Sequence, residues 1–373
     1  MLPLFGSEGV VLIVISALLI SVVNLVELDK NKKIFVCAMF LSCILLNPSG
    51  IYYKLSDGYD TAAYPFDVIE DEVGVLSLYK GGFSKFIKAR LNRSPTANIV
   101  HNVSYLSWNR MNLSYLKIIN PDFSPKRVLI IGLGSSNFIY GLSKTKELEK
   151  IVVAEISPAV VAATYKYADK EIVDFINSDK VELLQIDGRR LMKIMESNEE
   201  KFDVVQIGTF QPKASGSSNL YSADLFKVAK SLLNPNGVFI TLDYAGVVRA
   251  GFEGFDYGWS AGENFSTSGY SFFTDWNPLK DVNSCYEVEK SLWVSAFSKT
   301  PNQNLKITEV PSLFDLAIYN KRDFDNIPVN TDNNPVMEYR MWRILNKETN
   351  MITRVSRDKK INRYRKVSIV KCN

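Results

Sequence analysis

The hydrophobic pattern of the first 53 residues consists of two long apolar runs. The run at 10–26 has three polar interruptions in seventeen residues, close to the roughly 20 residues that cross a hydrocarbon core. The run at 34–46 is shorter and reaches interfacial length only when extended to the tyrosine pair at 52–53. A polar loop at 27–33 separates them. The pattern predicts a transmembrane helical hairpin over residues 1–53, and a single span followed by a buried core helix is the alternative.

Short alternating runs follow in residues 54–125. The runs at 66–70 and 73–79 alternate apolar and polar side chains, which is typical of strands with one buried face. A helix is predicted around 103–119. We therefore expect a small β/α unit ahead of the main domain.

Continuous apolar runs alternate with helical stretches from residue 126 onward. Strands are predicted at 128–131, 150–154, 181–185, 202–207 and 237–242, and helices at 158–168, 190–195 and 222–233. Strands that alternate with helices at this spacing specify a mostly parallel sheet with helices on both faces. The predicted fold class is α/β, with a Rossmann-like doubly wound sheet over residues 126–339.

An aromatic segment at 250–278 interrupts this alternation. Its nine aromatic side chains lie among glycine and serine residues. One interpretation is a flexible lid over an apolar or lipid-like acceptor. The other is a β-rich insertion that packs a small core of its own.

Composition and charge exclude several classes of protein. A chain of 373 residues with 46% hydrophobic and 23% charged residues is folded and long enough for two compact units. The four cysteines form no CxxC pair, and His101 is the single histidine, so no metal site is predicted. The sequence assigns no catalytic residue.

The net charge of +4 is unevenly distributed. Residues 340–373 hold eleven basic and two acidic residues, a net charge of +9, and form a predicted basic carboxy-terminal tail. Such a tail suits the anionic cytoplasmic leaflet, although the three lysines in the loop at 27–33 favour the opposite orientation. We expect a membrane protein of the inner or plasma membrane, with its soluble domain in the cytoplasm.

The expected partners follow from the same features. Membrane lipids are expected at the tail and at the predicted hairpin, and a homo-oligomer or a further membrane subunit is possible. Nucleic acid is not expected as a partner, because the tail has no aromatic residues spaced to stack on bases and no recognisable nucleic-acid-binding motif. The acceptor is expected to be a small molecule or a lipid.

Glycine and acidic residues follow three successive predicted strands at their carboxyl ends. Gly132 and Gly134 follow the first strand, Glu155 ends the second, and the pair Asp187 and Gly188 follows the third. In a parallel sheet these ends form one crevice, where glycines let phosphate or nucleoside groups approach the backbone. An acidic residue about twenty positions after the glycine turn can accept both hydroxyls of a ribose. The spacing predicts a nucleoside site.

Several motifs give the chain a resemblance to a known family. They are PKRVLIIG at 125–132, VAEISP at 153–158, QIDGR at 185–189, FDVV at 202–205, LYSADLF at 220–226 and LNPNGV at 233–238. Over roughly residues 60–245 the chain resembles the spermidine synthase family, a branch of the class I S-adenosylmethionine-dependent methyltransferase fold. The segment NTDNNPVMEY at 330–339 and the predicted hairpin resemble the membrane-fused bacterial branch of that family.

The resemblance implies a co-substrate, S-adenosylmethionine or decarboxylated S-adenosylmethionine. It implies that Glu155 binds the ribose hydroxyls and that Asp187 bonds the adenine amino group. The other residues expected at the nucleoside are Gly132, Gly134, Ser135 and Gly188. The residues expected at the acceptor are Gln211 and Tyr221.

The chain departs from the family pattern where the chemistry is expected. Gly208 and Gln211 stand where the family has aspartates after the fourth strand, and Ser135 replaces another. Our leading hypothesis is a membrane-anchored transferase that moves an aminopropyl or methyl group to an acceptor already neutral at pH 7. The alternative is a catalytically inactive member that serves as a nucleoside sensor or membrane scaffold.

Overall fold

The computed structural model describes most of the central part of the chain. The described residues are 65–80, 86–92, 94–101, 123–134, 137–208, 218–242, 245–262, 270–274, 286–290, 315–318, 321–325, 328–334 and 365–369, together with Ser21 and Asp29. Apart from Ser21 and Asp29, the predicted hairpin lies outside this set, as do the predicted helix at 103–119 and the predicted site residues Ser135 and Gln211. Over the described ranges, no helix combines the length and apolar character needed to cross a bilayer.

The amino-terminal unit is a four-stranded antiparallel sheet in the order β1-β2-β3-β4. Its strands are β1 (Asp67–Glu70), β2 (Val75–Lys80), β3 (Phe86–Leu91) and β4 (Ser94–Val100). The β unit expected in residues 54–125 is therefore confirmed. In the tight turn between β1 and β2, Asp71 accepts hydrogen bonds at 2.8 Å from the backbone N–H groups of Val73 and Gly74.

The second sheet contains ten described strands. They are β5 (Arg127–Ile131), β6 (Lys150–Glu155), β7 (Val181–Gln185), β8 (Phe202–Ile207), β9 (Leu233–Leu242), β10 (Tyr257–Gly262), β11 (Tyr270–Thr274), β12 (Tyr286–Lys290), β13 (Asp315–Ile318) and β14 (Arg365–Ile369). Their order is β12-β14-β13-β10-β11-β9-β8-β5-β6-β7. Of these ten strands, β11, β12 and β13 run against the other seven. The predicted parallel sheet is confirmed for β5 to β9, whereas β10 to β14 extend it through antiparallel pairs.

Six described α-helices connect and flank these strands. They are α1 (Asn137–Leu142), α2 (Pro158–Tyr167), α3 (Lys170–Ile176), α4 (Gly188–Ser197), α5 (Ala223–Ser231) and α6 (Ala245–Gly251). Short 3₁₀ turns occupy Ser218–Tyr221 and Lys321–Phe324. The sequence did not predict α3, and the helix predicted at 222–233 ends at Ser231 because β9 begins at Leu233.

Buried side chains form a separate core on each face of the sheet. The first core joins Val128 and Ile130 of β5 to helices α1 to α3 and to the amino-terminal sheet, including Leu78. The second core joins Leu129 and Ile131 of β5 to helices α4 to α6. Alternate residues of each strand face opposite sides, so this division confirms the doubly wound arrangement.

The aromatic segment at 250–278 belongs to the second core and to the main sheet. Phe252 and Phe255 are both 2% exposed, and the Phe255 ring stacks on Phe239 with centroids 5.6 Å apart. Strand β11 pairs with both β9 and β10. The segment is β-rich, but the expectation of a flexible lid or a self-contained core is wrong for its described part, because its strands extend a sheet that already exists.

The described part of the predicted basic tail is also a strand of this sheet. Residues of β14 pair with β12 and β13. The sheet therefore continues past the boundary expected at residue 339.

One carboxylate joins three strands at their amino ends. Oδ2 of Asp203 accepts from the backbone N–H groups of Lys126 at 2.8 Å and Arg127 at 2.9 Å. Oδ1 accepts from Nδ2 of Asn234 at 2.8 Å. These contacts fix the starts of β5, β8 and β9 on the edge of the sheet away from the predicted crevice.

Candidate functional site

The predicted crevice lies where the strand order reverses. Connections from β5 lead outward to β6 and β7 on one side and to β8 and β9 on the other, so β5 and β8 flank the switch point at which doubly wound sheets bind ligands. The turn that leaves β5 has φ of +92° at Gly132 and +52° at Gly134. Residues with a Cβ atom rarely adopt such positive φ angles, so glycine is favoured at both positions.

Glu155 is buried beside this turn with 6% of its surface exposed. Its Oε2 accepts from the backbone N–H of Leu133 at 2.9 Å, and its Oε1 accepts from that of Ser157 at 2.9 Å. Burial raises the pKa of Glu155 above its ordinary 4.5, while these N–H donors act in the opposite direction. A carboxylate oxygen accepts up to two hydrogen bonds, so each oxygen keeps capacity for a ligand hydroxyl.

The start of α2 is capped from within and from the amino-terminal sheet. Ser157 Oγ accepts from Val160 N–H and donates to Oδ2 of Asp71 at 2.6 Å. The same Asp71 oxygen accepts from Ala159 N–H at 2.9 Å. A continuous chain of hydrogen bonds thus runs from the β1–β2 turn through Ser157 to Glu155.

Asp187 and Gly188 form the start of α4. Asp187 is exposed and caps the helix through Oδ1, which accepts from Arg190 N–H at 2.8 Å. Gly188 is buried, and a Cβ atom at this position would lie within 3.0 Å of Cγ2 of Ile131. Because only glycine permits this approach, α4 begins directly against the end of β5.

A surface depression of about 560 Å³ adjoins Asp187 along α4. Its lining includes the basic side chains Arg189, Arg190 and Lys193. Arg189 forms a bidentate ion pair with Asp332, which also accepts from Ser222 Oγ at 2.7 Å. The positive charge of the depression therefore comes chiefly from Arg190 and Lys193.

The segment at 328–334 holds the chain that leads into α5. Asn330 has no exposed surface, and its Nδ2 donates to the carbonyl oxygens of Ser218 and Tyr221 at 2.9 Å each. Its own carbonyl accepts from Ala223 N–H at 2.8 Å. Burial alone would raise the pKa of Asp332, but hydrogen bonds from Arg189 and Ser222 outweigh it and lower the pKa below 3.8.

Strand β8 ends at the crevice without a carboxylate. Gly208, directly after the strand, has no side chain, and the preceding residue on the same face is Gln206. Gln206 is 7% exposed, and its Oε1 has no hydrogen-bond partner among the described residues. No described group of three or more histidine, cysteine, aspartate or glutamate side chains is arranged to hold a metal ion.

The structure brings most of the predicted nucleoside residues to one edge of the sheet. The glycine turn is hydrogen-bonded to the end of β6, since Gly132 N–H donates to the Ala154 carbonyl and Leu133 N–H donates to Glu155, and Gly188 packs against the end of β5. Tyr221 lies fully buried in the second core, on the sheet face opposite Gln206. A substrate role for Tyr221 stays a prediction.

Sequence reasoning missed three residues of this site, Asp71, Gln206 and Asn330. A turn signature precedes Gly74, but nothing local indicates that Asp71 reaches a helix 86 residues further along the chain. Gln206 had a usable signal, because a polar residue in a strand buried on both faces needs an explanation.

A glycine turn and a carboxylate on the next strand end, at the switch point of a doubly wound sheet, form the arrangement at which many α/β domains bind nucleotides. Residues 115–246 match the sequence model of the family described as the spermine/spermidine synthase domain. This region of the chain, about a third of its length, is therefore similar to the spermine/spermidine synthase domain.

Curated relatives cover the same region. The polyamine aminopropyltransferase of Thermococcus kodakarensis is 28% identical over 123 residues, which are 32% of this chain and 41% of the relative. That of Thermococcus onnurineus is 30% identical over 118 residues, 32% of this chain and 40% of the relative. The spermine synthase of Saccharomyces cerevisiae is 28% identical over 31% of this chain and 39% of the relative. The matches thus span about two fifths of these relatives.

The solved structures that align with this chain include two spermidine synthases. The enzyme in complex with the transition state analogue AdoDATO has a TM-score of 0.48 and 17% identity, over 58% of this chain and 76% of that chain. The enzyme from Thermotoga maritima has a TM-score of 0.48 and 16% identity, over 61% and 80% of the two chains.

Proposed function

We propose that this protein is a transferase that binds a sulfonium nucleoside and moves its alkyl group to an acceptor. The nucleoside is decarboxylated S-adenosylmethionine, with transfer of an aminopropyl group, or S-adenosylmethionine, with transfer of a methyl group. The observation that carries the proposal is the buried Glu155 carboxylate, which is bonded to the glycine turn and keeps acceptor capacity at the crevice. The curated relatives described as polyamine aminopropyltransferases favour the aminopropyl group.

The residues at the crevice fit the parts of such a nucleoside. Glu155 accepts the two ribose hydroxyls, and the glycine turn lets the sugar lie close to the backbone. Asp187 keeps one carboxylate oxygen beyond its capping bond and accepts from the adenine amino group. A sulfonium nucleoside supplies an electrophilic carbon beside a positively charged sulfur, so the chain's contribution is orientation and exclusion of water.

The test is calorimetric titration of the full-length chain with both nucleosides. We expect Glu155→Gln to weaken binding about 10- to 100-fold, because it removes an ionised acceptor of two hydrogen bonds. Glu182→Gln is the matched control, since Glu182 lies on the neighbouring strand β7 and pairs with Lys150 at 3.1 Å. Absence of binding by the wild-type chain would contradict the proposal.

Product analysis separates the transferase from the sensor hypothesis. A transferase releases methylthioadenosine from the decarboxylated nucleoside or S-adenosylhomocysteine from S-adenosylmethionine. Binding without release of either product, over a panel of amine, hydroxyl and lipid acceptors, favours a nucleoside sensor.

We also propose that residues 1–53 attach the protein to the inner or plasma membrane, as in the membrane-fused branch, with the nucleoside-binding domain in the cytoplasm. The apolar runs at 10–26 and 34–46 and the basic residues at 340–373 support this. A reporter fused after Asn373 tests the orientation. Activity only outside the cytoplasm would contradict it and would remove the nucleoside supply.

A further inference from the structure

Gln206 occupies an unusual position for an amide side chain. It is the penultimate residue of β8 and pairs with Ile130, the penultimate residue of β5, at the switch point. Its neighbours on the same sheet face, Val204, Ile130 and Ile240, are apolar members of the first core. An unpartnered carbonyl buried in such surroundings costs about 1–3 kcal/mol, so its presence calls for a function.

Gln206 lies on the side of the crevice where the sulfur-bearing end of the proposed nucleoside would be. Neighbouring strands lie about 4.8 Å apart, so β6 with Glu155 and β8 with Gln206 are about 10 Å apart across β5. A nucleoside whose ribose is held by Glu155 therefore extends its sulfur-bearing arm toward β8. Because Gly208 has no side chain, Gln206 provides the last side chain that β8 places on this face.

The described carboxylates of the site already have structural hydrogen-bond partners. Glu155, Asp187 and Asp71 already accept backbone N–H donors. The segments that continue from β5 and β8, at 132–136 and 208–217, contain no acidic residue, and the second contains Lys213. The next acid along the sheet, Asp243 after β9, lies outside the described residues.

We propose that Gln206 is a specificity-determining residue that selects an uncharged acceptor nucleophile, whose N–H or O–H group donates to the Gln206 carbonyl. The inference rests on the proposed function and names the acceptor class for the same site. The lone pair of the neutral nucleophile forms a bond to the carbon beside sulfur, and the carbon–sulfur bonding pair returns to sulfur, which becomes a neutral thioether. The nucleophile then loses its proton to water. A cationic amine must lose its proton before attack, and the described end of β8 has no carboxylate to receive it.

Two acceptors of equal length test the selection in the full-length chain. One is a linear diamine, which is cationic at pH 7, and the other is the bis(aminooxy)alkane of the same chain length, whose nitrogen atoms are neutral. The readout is kcat/KM for thioether release, together with nucleoside affinity measured separately. We expect the wild-type protein to favour the neutral acceptor at least about tenfold.

Variants of Gln206 distinguish selection from packing. Gln206→Leu removes the amide and should lower kcat/KM for the neutral acceptor at least about tenfold with unchanged nucleoside affinity. Gln206→Glu should shift preference toward the diamine, because it supplies a buried carboxylate. The matched control is Thr241→Val, which removes the unpartnered Oγ1 of a fully buried residue on the opposite face and should change neither parameter.

The outcomes separate the two proposals. Preference of the wild type for the diamine would overturn the inference, as would unchanged acceptor use in Gln206→Leu or no transfer to either acceptor while the nucleoside binds. Failure of the nucleoside to bind overturns the proposed function itself, and that is detected before any acceptor is added.

Discussion

Gly188 shows how one missing side chain sets the geometry of the crevice. Its neighbour Asp187 is expected at the adenine, and Ile131 is the last residue of β5 before the glycine turn. Because Gly188 sits against Ile131, the adenine end and the ribose end of the site are fixed relative to each other.

We predict that Gly188→Ala destabilises the protein by about 1–3 kcal/mol and weakens nucleoside binding, because the added methyl group overlaps Cγ2 of Ile131. Thermal unfolding and calorimetry measure the two effects. Ile131→Leu removes that methyl at similar volume, so the double variant should recover part of both losses. A double variant no better than Gly188→Ala would contradict this explanation.

We further predict that nucleoside affinity depends on pH through Glu155. Burial raises its pKa above 4.5, and only the ionised carboxyl accepts both ribose hydroxyls in addition to its two N–H donors. Affinity should therefore fall as pH decreases through this raised value, and the fall should begin above pH 4.5. Titration across this range should give a flat profile for Glu155→Gln, and a profile equal to that of the wild type would contradict the assignment.

Helix α2 is held at both ends by the amino-terminal sheet. Asp71 bonds to the helix start through Ser157 and Ala159. Asp67 accepts from Lys166 at 2.9 Å, and from the Tyr167 hydroxyl, at the other end. The two ends of α2 differ, because only Asp71 is linked to Glu155, through hydrogen bonds that both residues form with Ser157.

We predict that Asp71→Asn destabilises the protein by about 1–2 kcal/mol at pH 7, since one oxygen that accepts two donors becomes an amide donor or is turned away. Burial alone would raise the pKa of Asp71, but hydrogen bonds from Ser157 and from three backbone N–H groups lower it below 3.8. Because the pKa of Asp71 is lower in the folded protein, the ionised carboxyl stabilises the folded state at pH values above its ordinary pKa of 3.8. The difference from wild type should therefore shrink as pH falls below 3.8.

The matched comparison is Asp67→Asn at the other end of the same helix. Both variants should lower the unfolding temperature. Only Asp71→Asn should also weaken nucleoside binding, because Asp67 has no described contact leading to Glu155. Equal losses of nucleoside affinity would contradict the role assigned to Asp71.

Elements with a local signature were predictable from the sequence. Strands β5 to β8 fall within one residue of their predicted bounds. Of these, β5, β6 and β8 are buried on both faces and read as continuous apolar runs. Helix α3 was missed because it is only seven residues long and follows α2 after two residues. The three strands that run against the others were not predicted either, since pairing between distant segments leaves little trace in either one.

The residues of the candidate site also divide into those that the sequence predicts and those that it does not. The glycine turn, Glu155 and Asp187 follow from spacing, because consecutive strands place their ends at one edge. The contact of Asp332 with Arg189 joins residues 143 positions apart, and a cap contributed by another sheet, as at Asp71, has no sequence period. Such contacts depend on how whole elements pack.

The amino-terminal sheet and the α/β domain share one hydrophobic core. Leu78 of β2 has no exposed surface and belongs to the same core as Val128 and Ile130 of β5. The two units therefore stabilise each other, and the crevice face is built from both.

We predict that Leu78→Ala destabilises the whole molecule by about 2–5 kcal/mol, as expected for a leucine truncated in a core. Hydrogen exchange of the β5 amides should accelerate together with that of β2. Lys80→Ala, at the exposed end of the same strand, is the control and should leave both unchanged. Faster exchange confined to the amino-terminal sheet would contradict a shared core.

The three hydrogen bonds of Asp203 have a consequence for how this molecule can diversify. They fasten the starts of β5, β8 and β9, while the residues proposed to bind ligands lie at the opposite ends of the strands. The contacts that hold the strands together and the positions that can vary in chemistry thus lie at opposite ends of the same strands. A library randomised at 208 and 211, which follow the end of β8, should retain a high fraction of folded members, which makes this chain a practical starting point for the directed evolution of new alkyl-transfer specificities.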